Sequence, residues 1–263
     1  PSFYHMDQLK SLTRFRDSLV RQHSKQLVAL TNILDKVFPE FKPFFDGRFS
    51  VTALYILSHY QSPEKIANMN AKSYEALRKK SRGKFSMVKF AQLKALAKNT
   101  VGRSDAFLLK QMEITIDIEN QLDAKIGEIE AQISECIRGL NPPILTIPGI
   151  GELTAAVILS EYGDISKFEG PAQMLSFAGM EPGYYQSGQA EHAGRMVKHG
   201  SSHLRCALMN ACLPLITNEP VFAEYYAKKR AEGKPYRVAL THVAKTPPRV
   251  IYTLQTKNIP YDP

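Results

Sequence analysis

The sequence predicts an all-α fold: long antiparallel coiled-coil-like helices followed by a compact helical domain that contains a helix-hairpin-helix. Three observations carry that expectation. Apolar residues recur at steps of three and four along most of the 263 residues, no alternating apolar pattern is long enough for a sheet, and stretches rich in proline or glycine divide the periodic segments. At 44% hydrophobic, the chain has enough apolar surface to bury a sizeable core.

The first element is an amphipathic helix over 9–37. Leu12, Phe15, Leu19, Leu27, Leu30 and Leu34 lie at helical spacing with Arg14, Arg16, Arg21 and Lys25 beside them, and Pro39 ends the pattern. Ser62-Pro63 in "HYQSPEKIANMN" starts another helix, because proline is tolerated in a first turn, and "NAKSYEALRKKS" starts a further short one. From Asp105 to Leu140 the series Ile118, Leu122, Ile126, Ile129, Ile133, Ile137, Leu140 steps by three and four, with Asp and Glu on the other face. Such a stripe needs a partner, and the basic helix 9–37 is the natural one, either inside one bundle or as a supercoil.

"GLNPP" at 139–143 breaks that helix and sets the expected division into domains 1–140 and 141–263. Beyond it, 152–162, 171–178, 201–217, 219–231 and 235–246 read as helices, and Pro247-Pro248 interrupts the last.

Charge is unevenly spread. The net +9 divides into +12 over residues 1–110, −5 over 111–140, −3 over 141–170 and +5 over 171–263. Two basic lobes therefore flank an acidic middle, which favours a polyanionic partner. The cysteines, Cys136, Cys206 and Cys212, form no CxxC pair, and an odd count fits a reducing compartment better than a disulfide framework. No apolar run spans a bilayer, and "PSFYHMDQLK" lacks the apolar core of a signal peptide, so no membrane partner and a cytoplasmic location are expected. The opening proline suggests that the sequence begins inside a longer natural product.

Three stretches carry candidate chemistry. In "IPGIGELTAAVILSEYGD", Gly149 and Gly151 permit a tight turn and leave backbone amides open at a helix start, where a phosphate can bind. This resembles the helix-hairpin-helix that grips nucleic-acid backbone; a packing hairpin without ligand is the competing reading, since Lys167 is the one basic residue of 141–170. The stretch 78–103 holds nine Lys or Arg and no acid, with Phe85 and Phe90 interleaved. Arg78, Lys79, Lys80, Arg82, Lys84, Lys94 and Lys98 are its candidate phosphate contacts, Lys94 and Lys98 sharing a helix face; a solvated face is the alternative.

The third stretch, "GYYQSGQAEHAGRMVKHG", sets Ser187 beside Gly188 and follows it with cations. A serine hydroxyl is a weak nucleophile, so phosphoryl transfer through it needs stabilised phosphate oxygens and a proton acceptor. Arg195, Lys198 and Arg205 are candidates for the first role and His199 or His192 for the second, while a plain Ser-Gly turn explains the same residues. Tyr184 and Tyr185 suit either base stacking or loop packing. His199, His203 and Cys206 offer no apparent fourth ligand, so no metal site is assigned in this chain.

Taken together, "LTIPGIGELTAAVILSEYGDISKFEGPAQMLSFAGMEPGYYQSGQ", "GRMVKHGSSHLRCALMNAC" and "NIPYDP" resemble the carboxy-terminal domain of the insertion-sequence one-ten family transposases, which include the Piv pilin-gene invertases and bridge-RNA-guided recombinases. The likeness runs back through "LKSLTRFRDSLVRQHSKQLVALTNILDKVFPEF". It implies a recombinase with a composite site, in which an amino-terminal RuvC-like domain binds magnesium (Mg2+) through four acidic residues and a carboxy-terminal serine attacks a DNA phosphate. The family's serine falls on Ser187. The RuvC-like domain is expected to precede "PSFYHMD", so Asp7, Asp17, Asp35 and Asp46 are not assigned to metal, and this stretch alone is expected to be inactive. "KTPPRV" at 245–250 departs from relatives, which continue the helix with apolar residues.

The resemblance further implies DNA, a guide (bridge) RNA and a homo-oligomer as partners, a dimer assembling to a tetramer. A non-catalytic nucleic-acid-binding module and a helical oligomerisation scaffold are the competing readings.

Overall fold

Helix-start chemistry recurs along the chain. In the computed structural model, which describes residues 3–103, 105–187, 190–196 and 198–263, and their side chains outside 3–5 and 182–196, thirteen α-helices and one two-stranded hairpin occur among the described residues. The all-α class holds; the hairpin is an addition that the apolar pattern did not reveal.

In chain order the first helices are α1 (Phe3–Val37), α2 (Phe41–Phe44), α3 (Val51–Tyr60), α4 (Pro63–Ala67), α5 (Ala71–Lys80), α6 (Met87–Lys98) and α7 (Ala106–Leu140). Ser50, Ser62, Asn70 and Ser86 each accept a backbone N–H two or three residues into the helix that follows, which satisfies an amide the helix itself leaves unpaired. Then follow α8 (Glu152–Tyr162), α9 (Pro171–Phe177), strands β1 (Pro182–Ser187) and β2 (Ala190–Met196), α10 (Ser202–Asn218), α11 (Pro220–Ala231), α12 (Tyr236–Ala244) and α13 (Pro247–Lys257), with single 3-10 turns at Pro143–Thr146 and Ile165–Lys167. Pro247-Pro248 ends one helix and begins another, since proline costs little in a first turn.

These elements form two compact units, and the units do not divide at 140/141: one comprises Asp17–Gly127, the other Pro1–Arg16 with Glu128–Pro263. In the first unit Leu30, Leu34, Phe38, Phe41, Ile56, Leu57, Leu93 and Ile116 are buried together. There α1 and α7 run antiparallel, with His23 against Glu119 and residues 29–36 beside 108–115. Of the apolar series read along α7, Ile118 is exposed, and Met112 and Ile116 fill the inner positions of this unit instead. Phe85 and Phe90 are buried, so they serve the core and not a ligand.

In the second unit Ile133 and Ile137 meet Met6 and Leu9, and Arg16 pairs with Glu130 at 2.9 Å. Ala155 and Ala156 are wholly buried where α8 packs on α10. Small side chains allow that approach. No described helix is long and apolar enough to cross a membrane.

Candidate functional site

The hairpin that carries Ser187 grows from a crossing of two chain segments. One segment, Phe177 to Met180, runs off the end of α9; the other, Lys198 to Ser201, leads into α10. At the crossing Gly179 has φ +64 and Gly200 φ +93. A Cβ on Gly179 would lie 1.7 Å from the His199 carbonyl oxygen, and one on Gly200 would lie 2.1 Å from that of Phe177. Only glycine fits such an approach. The Lys198 amide donates to the Gly179 carbonyl at 3.1 Å.

Arg205 ties the crossing together. From the first turn of α10 its Nη1 donates to the carbonyls of Ala178, His199 and Gly200 at 3.1, 3.2 and 3.3 Å. Behind it, Ser201 caps α10 by accepting the Leu204 amide at 3.2 Å and donates its hydroxyl to Glu161 Oε2 at 2.7 Å. Glu161 is 1% exposed and is held by Arg14 and Lys10 from α1. A run of polar contacts thus extends from α1 through α8 to the base of the hairpin, all within one unit.

From this root β1 and β2 pair antiparallel, with Pro182 opposite Met196, an irregularity between Pro182 and Tyr184, and Ser187 opposite Ala190. Gly188 and Gln189 lie outside the described residues, as do the side chains of Ser187, Tyr184, Tyr185, His192 and Arg195. At roughly 3.3 Å per strand residue, Ser187 stands about 16 Å along the strand from Pro182. The structure therefore gathers Lys198, His199 and Arg205 at the root and sets the Ser187 backbone at the far end of the arm. Arg195 lies in β2 one residue from the pair Pro182–Met196, so its backbone too belongs to the root end. Lys198 and His199 are exposed, whereas Arg205 is partly buried and its guanidinium is engaged by three carbonyls.

The glycine hairpin before α8 has a packing role at one glycine. Gly149, at φ +94, sits where a Cβ would be 2.5 Å from the Pro214 carbonyl of α10. Gly151 is exposed at the start of α8, but Glu152 in the first helical turn pairs with Arg138 at 3.0 Å and puts a negative charge where an anion would bind.

The basic run belongs to the other unit. Arg78, Lys79 and Lys80 end α5, Arg82 and Lys84 stand on the following turn, and Lys98 ends α6; all six are exposed and none pairs with a carboxylate among the described residues. Lys94 differs, being partly buried, donating to the Met69 carbonyl and lying 5.6 Å from the Phe90 ring centroid.

Among the described residues no group of three His, Cys, Asp or Glu is placed to hold a metal ion. Cys206 is exposed, and Cys212 is buried with its thiol pushed up to about 12 by desolvation, so the free thiol stays protonated at neutral pH. Sequence reasoning missed Arg14, Glu161 and Ser201, which hold the arm's base. Ser201 alone left a signal, a serine directly before an apolar-periodic run.

Residues 141–227 match the model of the Transposase IS116/IS110/IS902 family. The serine arm thus lies in the segment that matches that family's model. The chain is 30% identical over 128 residues to an uncharacterized 43.6 kDa protein of insertion element IS110 from Streptomyces coelicolor, covering 48% of this chain and 32% of the relative. It is 23% identical over 261 residues to an uncharacterized 42 kDa protein of IS900 from Mycobacterium paratuberculosis, covering 97% and 65%. It is 29% identical over 151 residues to the pilin gene-inverting protein of Moraxella bovis, covering 56% and 46%. The chain therefore spans between about a third and two thirds of the length of these relatives. The matched segment contains Gly149, Gly151, Glu161, the arm and Arg205; the basic run at 78–103 falls before it.

Proposed function

We propose that this chain is the serine-bearing part of a DNA transposase or site-specific recombinase. The observation that carries the reading is an arm inside the transposase segment, rooted on Gly179, Gly200 and Arg205, with Ser187 at its far end. In this reading the Ser187 Oγ attacks a DNA phosphorus and gives up its proton as the Oγ–P bond forms, the P–O bond to the departing strand breaks, and that strand's oxygen takes up a proton and leaves as a hydroxyl. Covalent linkage retains the phosphodiester's energy, so the strand can be rejoined without ATP.

An extended arm suits a composite site, because its tip reaches away from its own root cations toward a surface that supplies charge. Among the described residues no carboxylate cluster is placed to hold magnesium. Its carboxylates, as the resemblance implies, would come from outside residues 1–263. Lys198 and His199 at the arm's root serve, in this proposal, to hold phosphates of the same DNA. The exposed cations Arg78, Lys79, Lys80, Arg82, Lys84 and Lys98 bind nucleic-acid backbone, DNA or a guide RNA, and the complex works as a homo-oligomer.

The test joins the chain to a RuvC-like domain, supplies magnesium and donor DNA, and looks for a protein–DNA adduct on a denaturing gel. Ser187→Ala is expected to abolish the adduct while leaving DNA binding in place. Adduct that survives the substitution would move the nucleophile elsewhere.

A further inference from the structure

The turn between α11 and α12 forms a second cationic surface, separate from the basic run of α5 and α6 and unused by the serine arm. Residues 228–237, "KKRAEGKPYR", hold five cations and one carboxylate. Lys228 and every residue from Arg230 to Val238 are exposed.

That exposed stretch has a fixed shape. Arg230 Nη1 donates to the Lys234 carbonyl at 2.7 Å. The amides of Glu232, Gly233 and Lys234 donate to the carbonyls of Lys228, Arg230 and Lys229 at 3.0, 3.0 and 3.2 Å. The rings of Tyr226 and Tyr236 meet edge to face at 6.5 Å between centroids, which fastens the start of α12 to α11.

The carboxylate leaves most of the charge uncancelled. Glu232 pairs with Lys229 at 2.9 Å, so Lys228, Lys234 and Arg237 face solvent without an ion-pair partner among the described residues. His242, farther along α12, is held below its ordinary value, first by burial and then by the charges of Lys245, Lys229 and Lys234. Lys245, Lys229 and Lys234 thus put positive potential at α12 against the single opposing charge of Glu232, and a net-positive surface attracts a polyanion.

Shape selects among polyanions. Helices α10, α11 and α12 pack on one another, and the link from α11 to α12 is a four-residue turn, 232–235, containing a glycine. DNA-binding helix pairs use such short links and direct the first residues of the second helix at base edges. Here those residues, Tyr236, Arg237 and Val238, are all exposed. The major groove of B-form DNA, about 12 Å wide, admits a helix, whereas the deep, narrow major groove of A-form RNA does not.

We propose that the α11–α12 turn is a duplex-DNA contact, with Lys228, Lys234 and Arg237 on backbone phosphates and the first turn of α12 in the major groove. The surface is argued independently of Ser187 and rests on the recombinase reading only in the choice of DNA as ligand.

Equilibrium binding of the chain to a B-form duplex and to a hairpin RNA, titrated with salt, tests this. Lys228→Ala/Lys234→Ala/Arg237→Ala removes three side chains that make no hydrogen bond or ion pair among the described residues, so the fold is expected to persist, as checked by circular dichroism. Each lost phosphate contact flattens the log–log salt dependence by about 0.9, so the fall in DNA affinity between about 50 mM and about 200 mM salt should shrink by roughly 40-fold. Lys228→Arg/Lys234→Arg/Arg237→Lys should keep the parent's salt dependence. An unchanged slope in the alanine variant, or a loss confined to the hairpin RNA, overturns the proposal and leaves the recombinase reading standing. If the parent chain binds no duplex even at low salt, the DNA reading fails first and takes this contact with it.

Discussion

Arg14 grips Glu161 with two parallel hydrogen bonds, Nε to Oε1 at 2.7 Å and Nη2 to Oε2 at 3.0 Å, although 147 residues separate them. Glu161 Oε2 also accepts from the Ser201 hydroxyl, so the pair fixes the cap of α10 and with it one leg of the serine arm. Burial pushes the Glu161 carboxyl up, but hydrogen bonds from Arg14 and Ser201 and the charges of Arg14 and Lys10 outweigh it, leaving it below the usual carboxylate range.

Arg14→Ala should therefore strand a buried charge. Breaking a fully buried pair costs about 3–5 kcal/mol; with Arg14 itself half exposed, about 2–3 kcal/mol is expected here. The pH dependence has a definite sign. A lowered carboxylate contributes stability above its unfolded value, about 4.3, and loses that contribution as pH falls through the folded value. The gap between parent and variant should be widest near neutral pH and narrow in acid, as read from denaturant midpoints.

Gly179→Ala should damage the arm more than any surface change at its tip. The added methyl meets a carbonyl oxygen at 1.7 Å on a backbone with positive φ, so the 198–200 segment must move away. A cost above about 2 kcal/mol in thermal unfolding is expected. Adduct formation by the joined protein should fall at temperatures where the fold survives. A variant with parental stability and full adduct yield would show that the arm tolerates a different root.

Arg82→Ala/Lys84→Ala/Lys98→Ala removes three exposed cations of the other unit. Nucleic-acid affinity should fall and its log–log salt dependence should flatten by about 2–3, with little change in stability, since these side chains have no carboxylate partner among the described residues. Salt dependence identical to the parent would assign the run to a solvated face.

Glu119 tests the opposite sign. It is 2% exposed and hydrogen-bonds His23 Nε2 at 2.8 Å. Burial raises its carboxyl, and the pull of His23 does not fully offset this. Its ionisation therefore costs stability as pH rises through the raised value, and the cost is absent below the unfolded value. Glu119→Gln keeps a hydrogen-bonding group toward His23 and removes the charge, so at pH 7 it should be neutral or more stable by up to about 1 kcal/mol. That advantage should vanish below about pH 4; a variant less stable than the parent at pH 7 but not below about pH 4 would mean that the charge itself holds α1 to α7.

Much of the scaffold was legible because its signals are local. Ser62-Pro63, Asn70 at "NAKS" and the break at "GLNPP" act within one helical turn, and α7 begins and ends within a residue or so of the stretch read from apolar spacing. The hairpin was not legible: its strands carry no apolar alternation, and their pairing is fixed by where the flanking segments cross. For the same reason Arg205 reads in sequence as a spare cation near a serine, while in space its donors meet three carbonyls contributed by two segments. Phe90 turns inward because helical period sends it to the core face of α6, whereas Phe85, in the turn before α6, is buried against the rings of Phe44 and Phe45.

By itself, then, the order of residues determined the helices, their caps and breaks, the uneven charge and the likeness that singles out Ser187. Only the folded chain decided which cations stay available and which are consumed by carbonyls, that Glu161 lies buried under Arg14, and that Ser187 stands at the end of an arm remote from Lys198 and Arg205. The physical reason is range: capping and periodicity act over three or four residues, whereas desolvation and hydrogen-bond partnership depend on groups that meet only when distant segments pack.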